Sequence, residues 1–76
     1  MISVGILGAS GFVGAELLRI CAAHSEFEVV YATGDTQAGS LASSLYPSLT
    51  TAYPNLIFDE YSLEKTLKCD VVFLAL

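Results

Sequence analysis

The chain is poor in cations. Its 76 residues include only three strong ones, Arg19, Lys65 and Lys68, against eight acidic residues, for a net charge of −5. So few cations build no basic patch, which argues against a nucleic-acid partner. Cysteine is scarce too. Cys21 and Cys69 lie far apart and outside any metal-ligand spacing, so no metal site is expected. Free thiols suit a reducing, cytoplasmic compartment. No apolar run reaches the roughly 18 residues that a membrane helix requires, so no membrane partner is expected. The start lacks the basic region of a secretory signal, and its apolar run breaks into glycines after Leu7. No internal repeat or low-complexity segment is present.

Against these absences stands a high apolar content. The hydrophobic share is 54%. A chain this short buries only about 60% of its unfolded surface. Such richness suits an α/β sheet covered on both faces. The expected fold is a Rossmann-like, doubly wound parallel sheet, of which residues 1–76 form the N-terminal part only.

One stretch organises the rest. Gly8-Ala9-Ser10-Gly11-Phe12-Val13-Gly14 follows an apolar run, Ile2–Leu7, and opens a helix-like run to His24. Strand, glycine turn and helix in that order are the context in which such glycines bind a dinucleotide. The first helical N–H groups have no partner inside the helix. The dipole adds roughly half a positive charge at the same end. Together they suit a phosphate or pyrophosphate. Gly8 and Gly11 would clear space for the cofactor. Ser10 and the amides of Phe12 and Val13 would hold phosphate oxygens, and Gly14 would let the helix pack close to the strand. No Lys or Arg lies in the loop, so backbone donors carry that work.

Along the chain, Leu17, Leu18 and Cys21 share one helix face. Glu16 and Arg19 pair weakly on the solvent side. Phe27–Ala32 is the second strand. The loop from Thr33 to Gly39 lies at its carboxyl end, where doubly wound sheets bind ligands. Asp35 lies about 20 positions beyond the glycines, where a carboxylate accepts a hydrogen bond from the adenosine ribose 2′-OH. Alternatively, Thr33 donates its hydroxyl to the cofactor in its place. Ser40–Leu45 reads as one or two helical turns. Tyr46-Pro47-Ser48-Leu49 and Tyr53-Pro54-Asn55 break regular structure. Leu56-Ile57-Phe58 reads as a short third strand after a connection of roughly 20 residues, long for a compact domain. Leu63–Lys68 reads as a short helix, with Ser62 as its N-cap. The final run, Asp70–Leu76, reads as a buried parallel strand that stops with nothing to cover it, which suggests a truncated chain. Its carboxyl end, at Ala75, should approach the nicotinamide side of the cofactor. Cys21 on an apolar face reads as a small hydrophobe, Cys69 lies at the sheet edge away from the crevice, and His24 reads as a helix-end group. Glu16, Glu26, Glu28, Asp59, Glu60 and Glu64 read as solvated charges. No catalytic residue is expected here.

The glycine stretch with Ala15-Glu16-Leu17-Leu18-Arg19 resembles the start of the N-acetyl-gamma-glutamyl-phosphate reductase family. Ala38-Gly39 is similar to that family's Ala-Gly pair. Tyr46-Pro47-Ser48-Leu49 resembles its His-Pro-x-Leu element, with Tyr in place of His. Asp70–Ala75 with Leu76 resembles the strand that runs on into Pro-His-Gly. The resemblance covers nearly the whole chain but only about the first quarter of a typical member. It implies an NADPH-dependent reduction of an acyl phosphate to a semialdehyde in arginine biosynthesis. In it a cysteine of a second domain, absent here, forms a thioester that hydride then reduces. It also implies cytoplasmic localisation, a small acyl-phosphate substrate, and a homo-oligomer when the protein is complete. The glycine pattern alone is shared with aspartate-semialdehyde dehydrogenases, and a non-catalytic nucleotide-binding sensor is a further reading of the same fold.

Overall fold

The computed structural model describes residues 1–75. Strand β1 (Ile2–Leu7), helix α1 (Phe12–Ala23) and strand β2 (Phe27–Ala32) follow one another with short links. A long connection holds a 3-10 turn at Asp35–Gln37, helix α2 (Ala42–Leu45), a second 3-10 turn at Pro47–Leu49 and helix α3 (Leu63–Leu67). Strand β3 (Val71–Leu74) ends the described fold.

The three strands form one parallel sheet in the order β2-β1-β3. The central position of β1 follows from its sequence. Val4 and Ile6 are fully buried on one face, and neighbours pair along both edges. Leu18 and Cys21 of α1 pack onto that face, as their helical spacing predicts. Ala42, Leu49 and Phe58 from the long connection complete the cluster. Tyr53 ties that connection to α1 by donating its hydroxyl to the Leu18 carbonyl at 2.7 Å.

Two expectations are corrected. Leu56-Ile57-Phe58 is not a strand of the sheet. Ile57 makes one isolated antiparallel bridge with Leu41, and Asp59 makes one parallel bridge with Thr33. Phe58 is 1% exposed, so the β-forming character of this stretch reflects burial of one ring rather than a ladder. The final strand is not fully buried either. Its residues are partly covered, and Leu74 is 69% exposed; Leu76 lies outside the described residues. Asp59 stays at the surface as a charge, where its carboxylate accepts from Lys65. The remaining elements match closely. The α2 turn is shorter than Ser40–Leu45, and Ser62 caps α3 by accepting the Lys65 N–H at 3.3 Å. His24 ends α1, accepts the Glu26 N–H on Nδ1 at 3.1 Å, and stacks on Phe27.

Candidate dinucleotide site

The glycine turn sits where the strand order reverses. β1 is flanked by β2 on one side and β3 on the other, and the crevice at the carboxyl ends of such strands is where doubly wound sheets bind ligands. Gly8 leaves β1 with φ +82°, a conformation that costs an L side chain strain. Its N–H donates to Thr33 Oγ1 at 2.9 Å, and the Ala9 N–H donates to the Thr33 carbonyl at 2.7 Å. Two bonds therefore clip the turn to the end of β2.

The helix begins without a side-chain cap. Gly11 is the N-cap residue, in extended conformation, and no side chain accepts from the first turn. Among the described residues, the amides of Phe12, Val13 and Gly14 have no hydrogen-bond acceptor, whereas the Ala15 N–H returns to the Gly11 carbonyl at 2.9 Å. Unpaired donors at an exposed helix start are the requirement for an anion. Space is also there. A Cβ on Gly11 would meet nothing nearer than the Gly8 carbonyl oxygen at 3.9 Å. Gly14 is different, since a Cβ there would lie 2.4 Å from Ala9 Cα. The close approach it permits is thus between helix and turn, not between helix and strand. The turn, the free amides and the open space together fit a pyrophosphate.

The other expected residues fall as follows. Thr33 is 3% exposed. Its hydroxyl oxygen accepts from the Gly8 N–H, which sets it at the base of the turn. Ser10 borders the turn and donates from Oγ to the Gly34 carbonyl at 3.1 Å. Phe12 and Val13 expose their side chains at the helix start. Asp35 is exposed at the carboxyl end of β2, with φ +46°. Ala75 lies beside the turn, its N–H donating to the Leu7 carbonyl at 2.8 Å.

Sequence reasoning missed Tyr46 as part of this site. Its hydroxyl donates to the Ser10 carbonyl at 2.7 Å, and its ring meets Phe12 edge-on. The available signal was chemical: a half-buried tyrosine seeks a partner for its O–H.

Each strong cation is engaged elsewhere. Arg19 pairs with Glu16, Lys65 with Asp59, and Lys68 with Glu64 at 3.7 Å. Positive potential at the turn therefore comes from amides and the α1 dipole. Neither thiol is primed as a nucleophile. Burial pushes the Cys21 thiol up, and burial followed by the nearby Asp70 charge pushes Cys69 up. Burial likewise raises the Tyr53 phenol to about 12. Among the described residues no cluster suited to a metal ion exists, and no helix is long and apolar enough to cross a membrane.

A parallel sheet with an uncapped helix start at its switch point defines a Rossmann-like nucleotide-binding unit. The comparisons agree. Residues 3–76 match the family described as "Semialdehyde dehydrogenase, NAD binding domain", and the chain belongs to that family. It is 48% identical over 75 residues to the N-acetyl-gamma-glutamyl-phosphate reductase of Saccharophagus degradans, covering 99% of this chain and 21% of that protein. It is 43% identical to the enzyme of the same name from Ectopseudomonas mendocina, covering 99% of this chain and 22% of that one. The chain thus spans about a fifth of the length of these relatives. The crystal structure of aspartate semialdehyde dehydrogenase with NADP from Candida albicans superposes with a TM-score of 0.83 at 26% identity, covering 100% of this chain and 23% of that one.

Proposed function

We propose that residues 1–76 form the N-terminal portion of an NAD(P)-binding domain, and that the whole protein is a cytoplasmic, homo-oligomeric N-acetyl-gamma-glutamyl-phosphate reductase. It reduces an acyl phosphate to the semialdehyde with NADPH. The observation that carries this reading is the uncapped α1 start, with free amides at Phe12, Val13 and Gly14, in a chain 48% identical to a reductase of that name. The Candida relative at 26% identity keeps aspartate-semialdehyde chemistry as the second reading, and the higher identity favours the first.

When bound, the nicotinamide would supply the hydride for the reduction, and the acyl-carrying cysteine would lie outside these residues. This chain's part is to hold and orient the cofactor. The amides of Phe12 and Val13 receive the pyrophosphate, Gly11 leaves it room, and Ser10 borders it. Ala75, whose N–H donates to the Leu7 carbonyl beside the turn, would face the nicotinamide half. The loop from Gly34 to Gly39 would receive the adenosine. With no cation there, backbone amides would receive the 2′-phosphate while the exposed Asp35 carboxylate turns to solvent.

The decisive test is Gly11→Val in the full-length protein. Its N-cap backbone, φ −82° and ψ 176°, suits any residue, and the nearest atom to an added Cβ is at 3.9 Å. The fold should therefore survive while the branched side chain fills the anion space. The expected result is loss of NADPH binding by fluorescence titration with a nearly unchanged unfolding midpoint. Undiminished NADPH affinity in the variant would overturn the assignment.

A further inference from the structure

We propose that Tyr46 is a positioning residue for the anion site, an inference that rests on the cofactor reading above. The Tyr46 hydroxyl donates to the Ser10 carbonyl at 2.7 Å. On the other side of the same peptide unit, the Gly11 N–H reaches back toward the Gly8 carbonyl at 3.4 Å. Carbonyl and N–H of a trans peptide point in opposite directions. The two bonds therefore hold the Ser10–Gly11 peptide plane at both ends.

The consequence is electrostatic. A carbonyl swung toward the helix start would present its negative end to an incoming phosphate. Held by the phenol, it stays aside, and the unpaired donors of Phe12, Val13 and Gly14 meet the anion alone. Ser10 is restrained again through its own hydroxyl, which donates to the Gly34 carbonyl at 3.1 Å.

The phenol arrives on firm support. Tyr46 sits between the buried residues Ala42 and Leu49. Its N–H donates to the Ala42 carbonyl at 2.8 Å, and its own carbonyl accepts the Leu49 N–H at 2.9 Å. The long connection after β2 thus sends one side chain back to shape the turn, 36 residues earlier in the chain.

Tyr53 provides a matched control. It belongs to the same connection and makes the same kind of bond, hydroxyl to the Leu18 carbonyl at 2.7 Å, but in the middle of α1. In the full-length protein, Tyr46→Phe is expected to weaken NADPH binding about threefold to tenfold, the equivalent of one ordinary hydrogen bond. Tyr53→Phe should leave it unchanged. Adenosine 2′-monophosphate, which lacks the pyrophosphate, should compete equally well against wild type and Tyr46→Phe. A general loosening of the fold would weaken both ligands and both variants alike, and that outcome overturns the proposal. So does a Tyr46→Phe variant with wild-type NADPH affinity. If the wild-type protein itself fails to bind NADPH, the cofactor reading falls and takes this inference with it.

Discussion

At Thr33 one hydroxyl closes the glycine turn onto the second strand. The Gly8 N–H that it accepts is buried, and no other acceptor reaches it among the described residues. Thr33→Val keeps the shape and removes the acceptor, leaving a buried donor unsatisfied. Such a loss costs about 1–3 kcal/mol. Thr33→Ser should retain most of the stability, since it keeps the oxygen. Urea unfolding of the two variants checks this, and equal midpoints would contradict it. The comparison also separates two roles for the residue. If Thr33 served mainly as a ligand contact, both variants would keep their stability and differ only in cofactor affinity.

Between elements, the entry of β3 into the sheet depends on Ser3 and Asp70. The Ser3 N–H and hydroxyl both donate to Asp70 Oδ2, at 2.9 and 3.0 Å. In return the Asp70 N–H donates to the Ser3 carbonyl at 2.9 Å. Bonds from the Ser3 backbone first, then its side chain, hold the Asp70 carboxyl below its ordinary 3.8. The Lys65 partner does the same for Asp59, and Arg19 for Glu16. A carboxyl with a lowered folded value binds its proton more readily when unfolded. Its stabilising effect is therefore complete above the ordinary carboxylate range and is lost as pH falls through the lowered value. Asp70→Asn should be less stable than wild type at neutral pH and should lose less on acidification, measured by unfolding midpoints from neutral to about pH 3. Parallel curves for the two proteins would remove Asp70 from the account. This level of organisation was only partly legible in the sequence. β1, α1 and β2 follow from local signals: a short β-forming run, helical spacing of Leu18 and Cys21, and glycine punctuation. The bridges of Ile57 to Leu41 and Asp59 to Thr33 do not, because each depends on a partner chosen by the tertiary fold. The same holds at the site. The glycine turn announces itself, whereas the Tyr46 bond to Ser10 and the inward turn of Thr33 become visible only once β2 and the long connection are in place.

Over the whole molecule, burial is uneven. The face carrying Val4, Ile6 and Leu18 is sealed, while Leu63, Leu67 and Leu74 stay largely exposed. Among the described residues β3 pairs on one side only, with β1. A strand with one open edge and an exposed apolar side chain is a template for pairing with a second copy. Natural edges are commonly blunted by lysine. Leu74→Lys should therefore lower self-association of the 76-residue chain, read by light scattering across a concentration series. The substitution also discriminates between two causes of association. It changes the net charge from −5 to −5 + 1 = −4, which weakens the mutual repulsion of copies. If repulsion governed association, the lysine variant would associate more strongly than wild type. If the open edge governs it, the variant would associate less, because a charged side chain at Leu74 must be desolvated for two edges to meet. The exposed position of Leu74 also means that little native packing is lost, so a small change in unfolding midpoint should accompany the change in scattering.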